Sequence, residues 1–252
     1  MTDAPSSPGS VTFAAASPGD TAPVILPVGR HGLLVELPTA EAAEALHAEL
    51  LRRRAEGTLA PLREIVPGAR TVLLDGLTDP GRLAAELPGW RIPPLDQGAG
   101  AAVEIPVRYD GPDLADVARL WGVAPGEVGR LHAATEFRVA FCGFAPGFGY
   151  LTGLDEKYHV PRRSSPRTKV PAGAVGLAGG HTGVYPRSSP GGWQLIGTAV
   201  DTVLWDPDRD PAALLAPGTR VRFVPARETR ETLTVTSAPG SGSASGADAA
   251  GS

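Results

Sequence analysis

The sequence predicts an α+β fold in which a small N-terminal α/β domain precedes an all-β barrel or sandwich domain. Between residues 24 and 87, short β-type runs alternate with segments of helical periodicity. Beyond Phe137, short apolar runs recur with turn residues at nearly every boundary, which is typical of a barrel or a sandwich. The stretch Gln97-Gly98-Ala99-Gly100 has the composition of a linker. We therefore expect the two domains at residues 23–97 and 98–226.

Both ends of the chain differ in composition from these two domains. Residues 1–22 are rich in Ser, Pro, Gly and Ala, so they lack the apolar surface that would offset the entropy cost of ordering. Residues 227–252 pass from charged residues to Gly, Ser and Ala. We predict a disordered leader and a disordered tail.

The overall composition limits the possible partners. The chain has 252 residues, of which 42% are hydrophobic, and a formal net charge of -4. This charge argues against nucleic acid or an anionic membrane as the main partner, because both require a basic surface. No apolar run approaches the ~18 residues of a membrane helix, and no signal-peptide pattern is present. The single Cys142 lies in an apolar run, which indicates a buried, inert thiol and a cytoplasmic location.

Two strand pairs and two helices make up the predicted N-terminal domain. Val24–Leu37 contains two β-type runs around a Gly-bounded turn, and Arg63–Leu74 contains a second pair. Between them, apolar residues recur at helical spacing from Ala40 to Glu56, with Thr39 as the N-cap. A second, short helix is expected from Asp79 to Leu87.

The second domain begins with an alternating strand over Ala102–Tyr109. Asp113–Leu131 has the outline of a helix, a Gly-containing turn and another helix, so a DNA-reading helix-turn-helix is one interpretation. Its charges nearly balance, which is poor for phosphate binding, and we favour two helices packed on a barrel. Later strands are expected at Arg138–Phe141, Ala174–Leu177, Trp193–Gly197, Thr202–Trp205 and Arg220–Val224.

Two runs, Phe144–Leu154 and Thr182–Gly197, set aromatic residues among glycines and prolines. Because glycine allows positive φ and proline fixes φ, we predict shaped loops rather than regular strands. Such loops can direct several aromatic side chains into one concave space, which is our candidate site. The alternative is that each ring is a core residue of the barrel. The side chains concerned are Phe144, Phe148, Tyr150, Tyr185 and Trp193.

Candidate polar residues lie near these runs. His132 and Glu136 are four positions apart, so on a continuous helix the carboxylate would orient the imidazole; alternatively, His132 packs at a helix C-terminus. His159, Arg162 and Arg167 occupy a proline-stiffened basic stretch. A guanidinium there suits a carboxylate or phosphate, and an imidazole can move a proton, although a solvated basic loop is the alternative. No third ligand at metal spacing stands out, so we predict no metal site.

Several motifs resemble a known family. The strings are, in order, GFAPGFGYLTGL, PRRSSPRTKVPAG, GGHTGVYP and SPGGWQLIG. They are similar to those of the B subunit of 5-oxoprolinase, also called allophanate hydrolase subunit 1 or the Kip-type kinase inhibitor. The resemblance spans about residues 24–225 and is most specific from Leu131 to Gly197. It implies a cyclophilin-like β-barrel, and the family is itself similar to part of the carboxyltransferase region of urea carboxylase.

The resemblance also implies an activity. The chain would be a hydrolase component that works with companion C and A subunits to open the lactam of 5-oxo-L-proline, a small cyclic amide, to L-glutamate with ATP hydrolysis. By this resemblance the complex uses ATP, and the chain alone is expected to be inactive. A related possibility is an allophanate or urea carboxylase-type carboxyltransferase subunit.

Residue roles follow from the same resemblance as hypotheses. Arg162 and Arg167 would bind an anion, and His159 or His132 would transfer protons. The residues that would shape the pocket are Thr182, Tyr185, Trp193 and Gln194. The chain departs from the family pattern at His181, where Gln is expected before Thr-Gly.

A regulatory function competes with the enzymatic one. One branch of the family is thought to dock on a sensor histidine kinase and block it, and both functions would use the same barrel. A co-purifying companion subunit would favour the enzyme, whereas binding to a kinase dimerisation domain without turnover would favour the regulator.

Overall fold

The computed structural model describes residues 11–12, 22–95 and 101–226. Its helices are α1 (Ala40–Ala55), α2 (Pro80–Glu86), α3 (Leu114–Trp121) and α4 (Pro125–Ala134). Its strands are β1 (Val11–Thr12), β2 (Val24–Val28), β3 (Gly32–Glu36), β4 (Glu64–Pro67), β5 (Thr71–Asp75), β6 (Arg91–Ile92), β7 (Ala102–Arg108), β8 (Glu136–Cys142), β9 (Gly149–Thr152), β10 (Arg167–Val170), β11 (Ala174–Ala178), β12 (His181–Val184), β13 (Ser189–Gly191), β14 (Gln194–Ala199) and β15 (Arg220–Pro225).

The N-terminal unit is a four-stranded antiparallel sheet in the order β2-β3-β5-β4. Both predicted hairpins are present, and α1 buries Leu46 and Leu50 in one core with Leu33 and Leu74 of the sheet. The side chain of Thr39 accepts a hydrogen bond from the Ala42 amide at 3.1 Å, which confirms the predicted N-cap. Helical periodicity therefore located this helix correctly.

The second unit is a closed barrel of seven strands in the order β11-β12-β9-β8-β15-β7-β14. Its strand pairs are antiparallel except for β15 and β7, which run parallel. The helices α3 and α4 pack against the barrel, because Val117, Trp121 and Val128 share one core with the strand residues Ile105 and Phe223. This confirms the α+β fold class with a barrel and supports the interpretation of two packed helices.

The two aromatic runs are not the loops that the sequence predicts, because they contain β9, β12 and β13. The strand expected at Trp193–Gly197 is present as β14. Glycine within these strands lets bulky neighbours approach the backbone. A Cβ on Gly183 would lie 3.1 Å from the rings of both Phe148 and Trp193. The glycines thus make room for aromatic packing inside a sheet.

Two further expectations differ from the structure. The predicted strand Thr202–Trp205 is irregular, with Asp201 before it at a φ of 48°, and only Trp205 forms an isolated bridge, to Ala213. Val11–Thr12 falls in the predicted disordered leader, yet it pairs as β1 with the main chain of β6. The rest of that leader up to residue 21, the linker at residues 97–100 with the domain boundary, and the tail from residue 227 lie outside the described residues.

None of the helices in the described ranges has the length and apolar character needed to cross a bilayer.

Candidate functional site

Five aromatic side chains from the two runs meet beside the barrel. Phe148 is at the centre, with its ring centroid 5.1 Å from Tyr150 and 5.3 Å from each of Phe144, Tyr185 and Trp193. The rings meet edge to face, which is a favourable geometry for aromatic pairs. Phe148, Tyr185 and Trp193 are buried core residues, whereas Tyr150 is half-buried and Phe144 is 58% exposed.

A cleft of about 390 Å³ opens over one side of this cluster. That volume lies within the range of roughly 300–1,000 Å³ typical of small-molecule sites. We call it the aromatic cleft, and its lining residues are Tyr150, Pro161, Arg162, Ala178, Gly179, His181 and Trp193.

The segment that leads into Arg162 is held against the barrel and α3. Val160 and Gly179 exchange two backbone hydrogen bonds of 3.3 and 2.7 Å, and the indole of Trp121 donates to the Tyr158 carbonyl at 2.9 Å. Gln194 donates to the Pro161 carbonyl at 3.2 Å. The predicted pocket residue Gln194 therefore supports the wall of the cleft from behind.

Arg162 is the exposed cation of the aromatic cleft. It forms no ion pair with a carboxylate in the part of the chain that the structure describes, and its charge acts on two phenols. Burial raises the pKa of Tyr150 and Tyr185, and the guanidinium of Arg162 opposes this shift at both. The arrangement presents one positive charge beside aromatic faces, which suits a small anion.

Arg167, the other predicted anion-binding residue, is committed to an internal partner. Its two terminal nitrogens donate to the carboxylate of Asp113 at 2.7 and 2.9 Å, and Arg163 donates to the same carboxylate at 2.8 Å. The Leu195 amide adds a fourth hydrogen bond of 2.7 Å. Arg167 therefore holds the basic stretch to Asp113, and the predicted binding of an anion by Arg162 stays a prediction.

Asp113 is a residue whose importance the sequence did not reveal. Burial raises the pKa of its carboxyl, but the hydrogen bonds from Arg167 and Leu195 and the charges of Arg167 and Arg163 outweigh this effect, so the net pKa lies below the usual value. The carboxylate stays ionised and holds the basic stretch onto the start of α3. No local pattern marks this pair, because the partners lie 50 and 54 positions away.

His132 does not lie in the cleft. It is fully buried in the barrel core, where Nδ1 is 2.9 Å from the Tyr109 hydroxyl and Nε2 is 2.9 Å from the Thr182 hydroxyl. Thr182 in turn donates to the Gly176 carbonyl at 3.2 Å. Burial lowers the pKa of His132 to about 3, so the imidazole is neutral near pH 7. His132 and Thr182 therefore form a buried polar network, and neither can contact a ligand in the cleft.

Glu136 does not pair with His132 either. Helix α4 ends at Ala134, and Glu136 begins β8, so the four-residue spacing no longer places the two side chains on one face. The carboxylate lies on the outside of the barrel, 3.4 Å from Arg220 and 3.9 Å from Arg222. Its predicted role as a catalytic residue that orients the His132 imidazole is therefore not supported by this position.

Two other histidines lie at the aromatic cleft or next to it. The ring of His159 packs on Gly180, since a Cβ added to Gly180 would lie 2.7 Å from the imidazole. The Nε2 atom of His159 is 3.2 Å from the Leu154 carbonyl. His181 lines the cleft itself. Burial, assisted by the charge of His159, lowers the pKa of His181. His159 is one of the catalytic candidates that the sequence suggests, but of the two histidines His181 is the one that lines the cleft, and the role of His159 stays a prediction.

A larger cleft, of about 450 Å³, lies between α1 and the barrel and shares no lining residue with the aromatic cleft. Glu44 extends into it from α1, 4.0 Å from Arg138 and 3.4 Å from the Thr152 hydroxyl. These contacts join the helix to the barrel, and none of the predicted site residues lines this space. We therefore place the candidate site at the aromatic cleft.

Neither the cysteine nor the potential metal ligands of the described residues indicate a second site. Cys142 is half-buried, donates to the Leu215 carbonyl at 3.0 Å, and has its thiol pKa raised to about 11 by burial. Across residues 22–95 and 101–226, His, Cys, Asp and Glu side chains form no group of three that could hold a metal ion.

Comparison with known proteins gives the family context. A protein from Escherichia coli O157:H7, named as the B subunit of 5-oxoprolinase, is 54% identical over 129 residues, which cover 50% of this chain and 59% of that protein. A protein of the same name from Bacillus subtilis (strain 168) is 50% identical over 125 residues, covering 48% of this chain and 52% of that protein. The chain thus spans little more than half the length of these relatives.

Solved structures agree with the fold. The crystal structure of TTHA0988 is 37% identical with a TM-score of 0.65, and the match covers 78% of this chain and 40% of that chain. The urea amidolyase of Kluyveromyces lactis matches with a TM-score of 0.62 over 85% of this chain and 16% of that enzyme, but at 19% identity it indicates the fold alone.

The sequence resemblance is confirmed by these relatives and by a family model. That model, described as the carboxyltransferase domain, subdomain C and D, matches residues 23–215. This chain belongs to the family of the carboxyltransferase domain, subdomain C and D.

Proposed function

We propose that this chain is the B component of a complex that opens the lactam of 5-oxo-L-proline to L-glutamate with hydrolysis of ATP, together with companion A and C subunits. The names of the relatives support this proposal. The observation that carries it is the position of Arg162, a cation without an internal carboxylate partner among the described residues, at the rim of an aromatic cleft of suitable size.

The substrate's chemistry fits these groups. 5-Oxo-L-proline has one carboxylate, which a guanidinium binds well, and a flat apolar ring edge that can lie on Tyr150 and Trp193. An amide carbonyl is a poor electrophile, so transfer of the ATP terminal phosphoryl group to the lactam oxygen would make ring opening by water feasible. One water then adds to the acyl carbon and the C–N bond breaks, so that the ring nitrogen leaves as an amine and takes up a proton. A second water releases phosphate from the resulting acyl phosphate and leaves L-glutamate.

ATP is assigned to the assembled complex in this proposal. The sequence contains no GxxxxGK[ST] motif, which would bind the phosphates of ATP. The raised pKa of its single cysteine also argues against a thiolate nucleophile in this chain. The chain's own contribution would be to hold and orient the lactam. We therefore expect activity only in the mixture of all three components.

The test is glutamate release from 5-oxo-L-proline, measured with the full chain alone and with the A and C subunits, in the presence and absence of ATP. We expect ATP-dependent release in the mixture and none from the chain alone. Arg162→Ala should lower kcat/KM about 10- to 100-fold, because one charged hydrogen-bonding partner of the substrate is lost.

Arg119→Ala is the matched control, because Arg119 lies on the exposed side of α3 in an ion pair with Asp116. It should leave kcat/KM unchanged. No glutamate from a mixture shown to assemble would overturn the proposed substrate, and equal effects of the two arginine variants would remove Arg162 from the site.

A further inference from the structure

His181 has one buried ring nitrogen that lacks a hydrogen-bond partner among the described residues. It begins β12, directly across a two-glycine turn from Ala178, and its ring meets Phe141 and Tyr150 edge to face at 5.7 and 5.9 Å. Its Nε2 is buried and has no hydrogen-bond partner among the described residues. His132 differs in this respect, because both of its ring nitrogens are satisfied.

The position of the single proton on a neutral His181 follows from this arrangement. Burial and the charge of His159 lower the pKa of His181, so the ring is neutral near pH 7 and carries one N–H. A proton on Nε2 would be a buried donor without an acceptor, which native structures rarely tolerate, whereas an unpaired acceptor is less rare. The proton therefore belongs on Nδ1, and Nδ1 is the ring nitrogen left to meet a ligand in the aromatic cleft.

We infer that the aromatic cleft recognises a small carboxylate that also bears an uncharged amide or lactam carbonyl, with Nδ1–H of His181 donating to the carbonyl oxygen and Arg162 pairing with the carboxylate. This inference rests on the proposed function for the location of the site, and it adds the group that reads the carbonyl. A ligand that lacks either group loses one of the two contacts.

The charges around His181 support a singly charged ligand. Arg162 supplies one positive charge to the cleft, and the neutral imidazole supplies a donor without a charge. A side-chain amide also has an N–H donor, so His181→Gln should keep the contact with the carbonyl and His181→Ala should lose it. This pair separates hydrogen bonding from simple filling of space.

The test uses the full chain, both alone and assembled with the A and C subunits without ATP. Binding of 5-oxo-L-proline is measured by calorimetry against 2-pyrrolidinone, which lacks the carboxylate, and cyclopentanecarboxylate, which keeps the carboxylate but lacks the lactam group and carries no amine charge. We expect 5-oxo-L-proline to bind at least tenfold more tightly than either. His181→Ala should weaken its binding about tenfold, His181→Gln should restore most of the loss, and His31→Gln should change nothing.

Nitrogen-15 NMR of the imidazoles gives a readout that does not depend on activity. The His181 signals, assigned by their loss in His181→Gln, should show the Nδ1–H tautomer, and Nδ1 should shift when 5-oxo-L-proline is added. An Nε2–H tautomer, equal affinities for the three probes, or no binding in either form of the protein would overturn the inference. Binding through His181 and Arg162 without any glutamate release by the complex would instead leave the inference standing and refute the proposed function.

Discussion

Arg167 binds Asp113 with both terminal nitrogens of its guanidinium, at 2.7 and 2.9 Å, across 54 positions of the chain. The carboxylate is almost completely buried, with 2% of the residue exposed, and it also accepts hydrogen bonds from Arg163 and the Leu195 amide. This cluster ties the start of α3, the basic stretch and β14 together. It therefore restrains the chain just after Arg162, in addition to the contacts of Val160 and Pro161 just before it.

Asp113→Ala should lower the free energy of unfolding by about 3–5 kcal/mol, because it leaves two guanidinium groups next to the core without their carboxylate. Urea unfolding measures this. Asp116→Ala is the control, since Asp116 forms an exposed ion pair with Arg119 that is worth at most about 1 kcal/mol. Similar losses for the two variants would contradict the role of Asp113.

His132 should make the stability of the protein depend on pH in a defined window. Its pKa is about 3 in the folded chain and about 6.5 when unfolded, so between these values the unfolded state binds one more proton. Stability should then fall as pH decreases from 6.5 towards 3, by about 1.4 kcal/mol per pH unit for this residue.

His132→Gln should remove that slope while costing stability at pH 7. The measurement is urea unfolding of both proteins between pH 4.5 and 7.5. His47, whose pKa burial lowers to about 4, contributes equally to both proteins and cancels in the comparison. Parallel curves for the two proteins would mean that His132 is not buried in the neutral form.

The fold was predictable wherever local periodicity reflects one buried face. Leu46 and Leu50 mark the core side of α1, and the turn at Pro67-Gly68 marks a hairpin. Periodicity failed at β9 and β12, because Gly149 and Gly183 look like strand breakers although they make room for bulky side chains within the sheet. Because glycine occurs both in turns and at crowded positions within sheets, its presence in a short segment does not predict which of the two forms.

The candidate site was predictable only in part, because some of its contacts join residues that are far apart in the sequence. The convergence of Phe148 and Trp193 follows from their concentration in two short runs. The pairing of His132 with Glu136 was wrong, because a spacing of four aligns side chains only if the helix continues past Ala134. The partnership of Arg167 with Asp113 joins distant segments, so it emerges only from the tertiary structure.

The members of the aromatic cluster should differ sharply in their effect on stability. Phe148→Ala should cost about 3–5 kcal/mol, because the ring is 1% exposed and lies at the centre of the cluster. Phe144→Ala should cost no more than about 1.5 kcal/mol, because its ring is 58% exposed and meets Phe148 and Tyr185 edge to face. Urea midpoints measure both, and a larger loss for Phe144 would show that the exposed ring supports the fold.

Removing His159 should raise the pKa of His181. Burial is the main reason that the His181 pKa is low, but the charge of His159 also disfavours a second positive charge beside it. Arg162 and Tyr150 line the same cleft and are unchanged in His159→Ala. The NMR titration of His181 in this variant should therefore move to higher pH than in the unmodified chain.

His31→Ala is the control for this titration, since His31 lies in the N-terminal unit with its Nδ1 near the Leu77 carbonyl. It should leave the His181 titration where it is. The same variants, assayed in the assembled complex, separate two roles of His159. Loss of turnover in His159→Ala with assembly intact is expected if His159 transfers a proton, whereas unchanged turnover with a raised His181 pKa would limit His159 to setting the charge state of its neighbour.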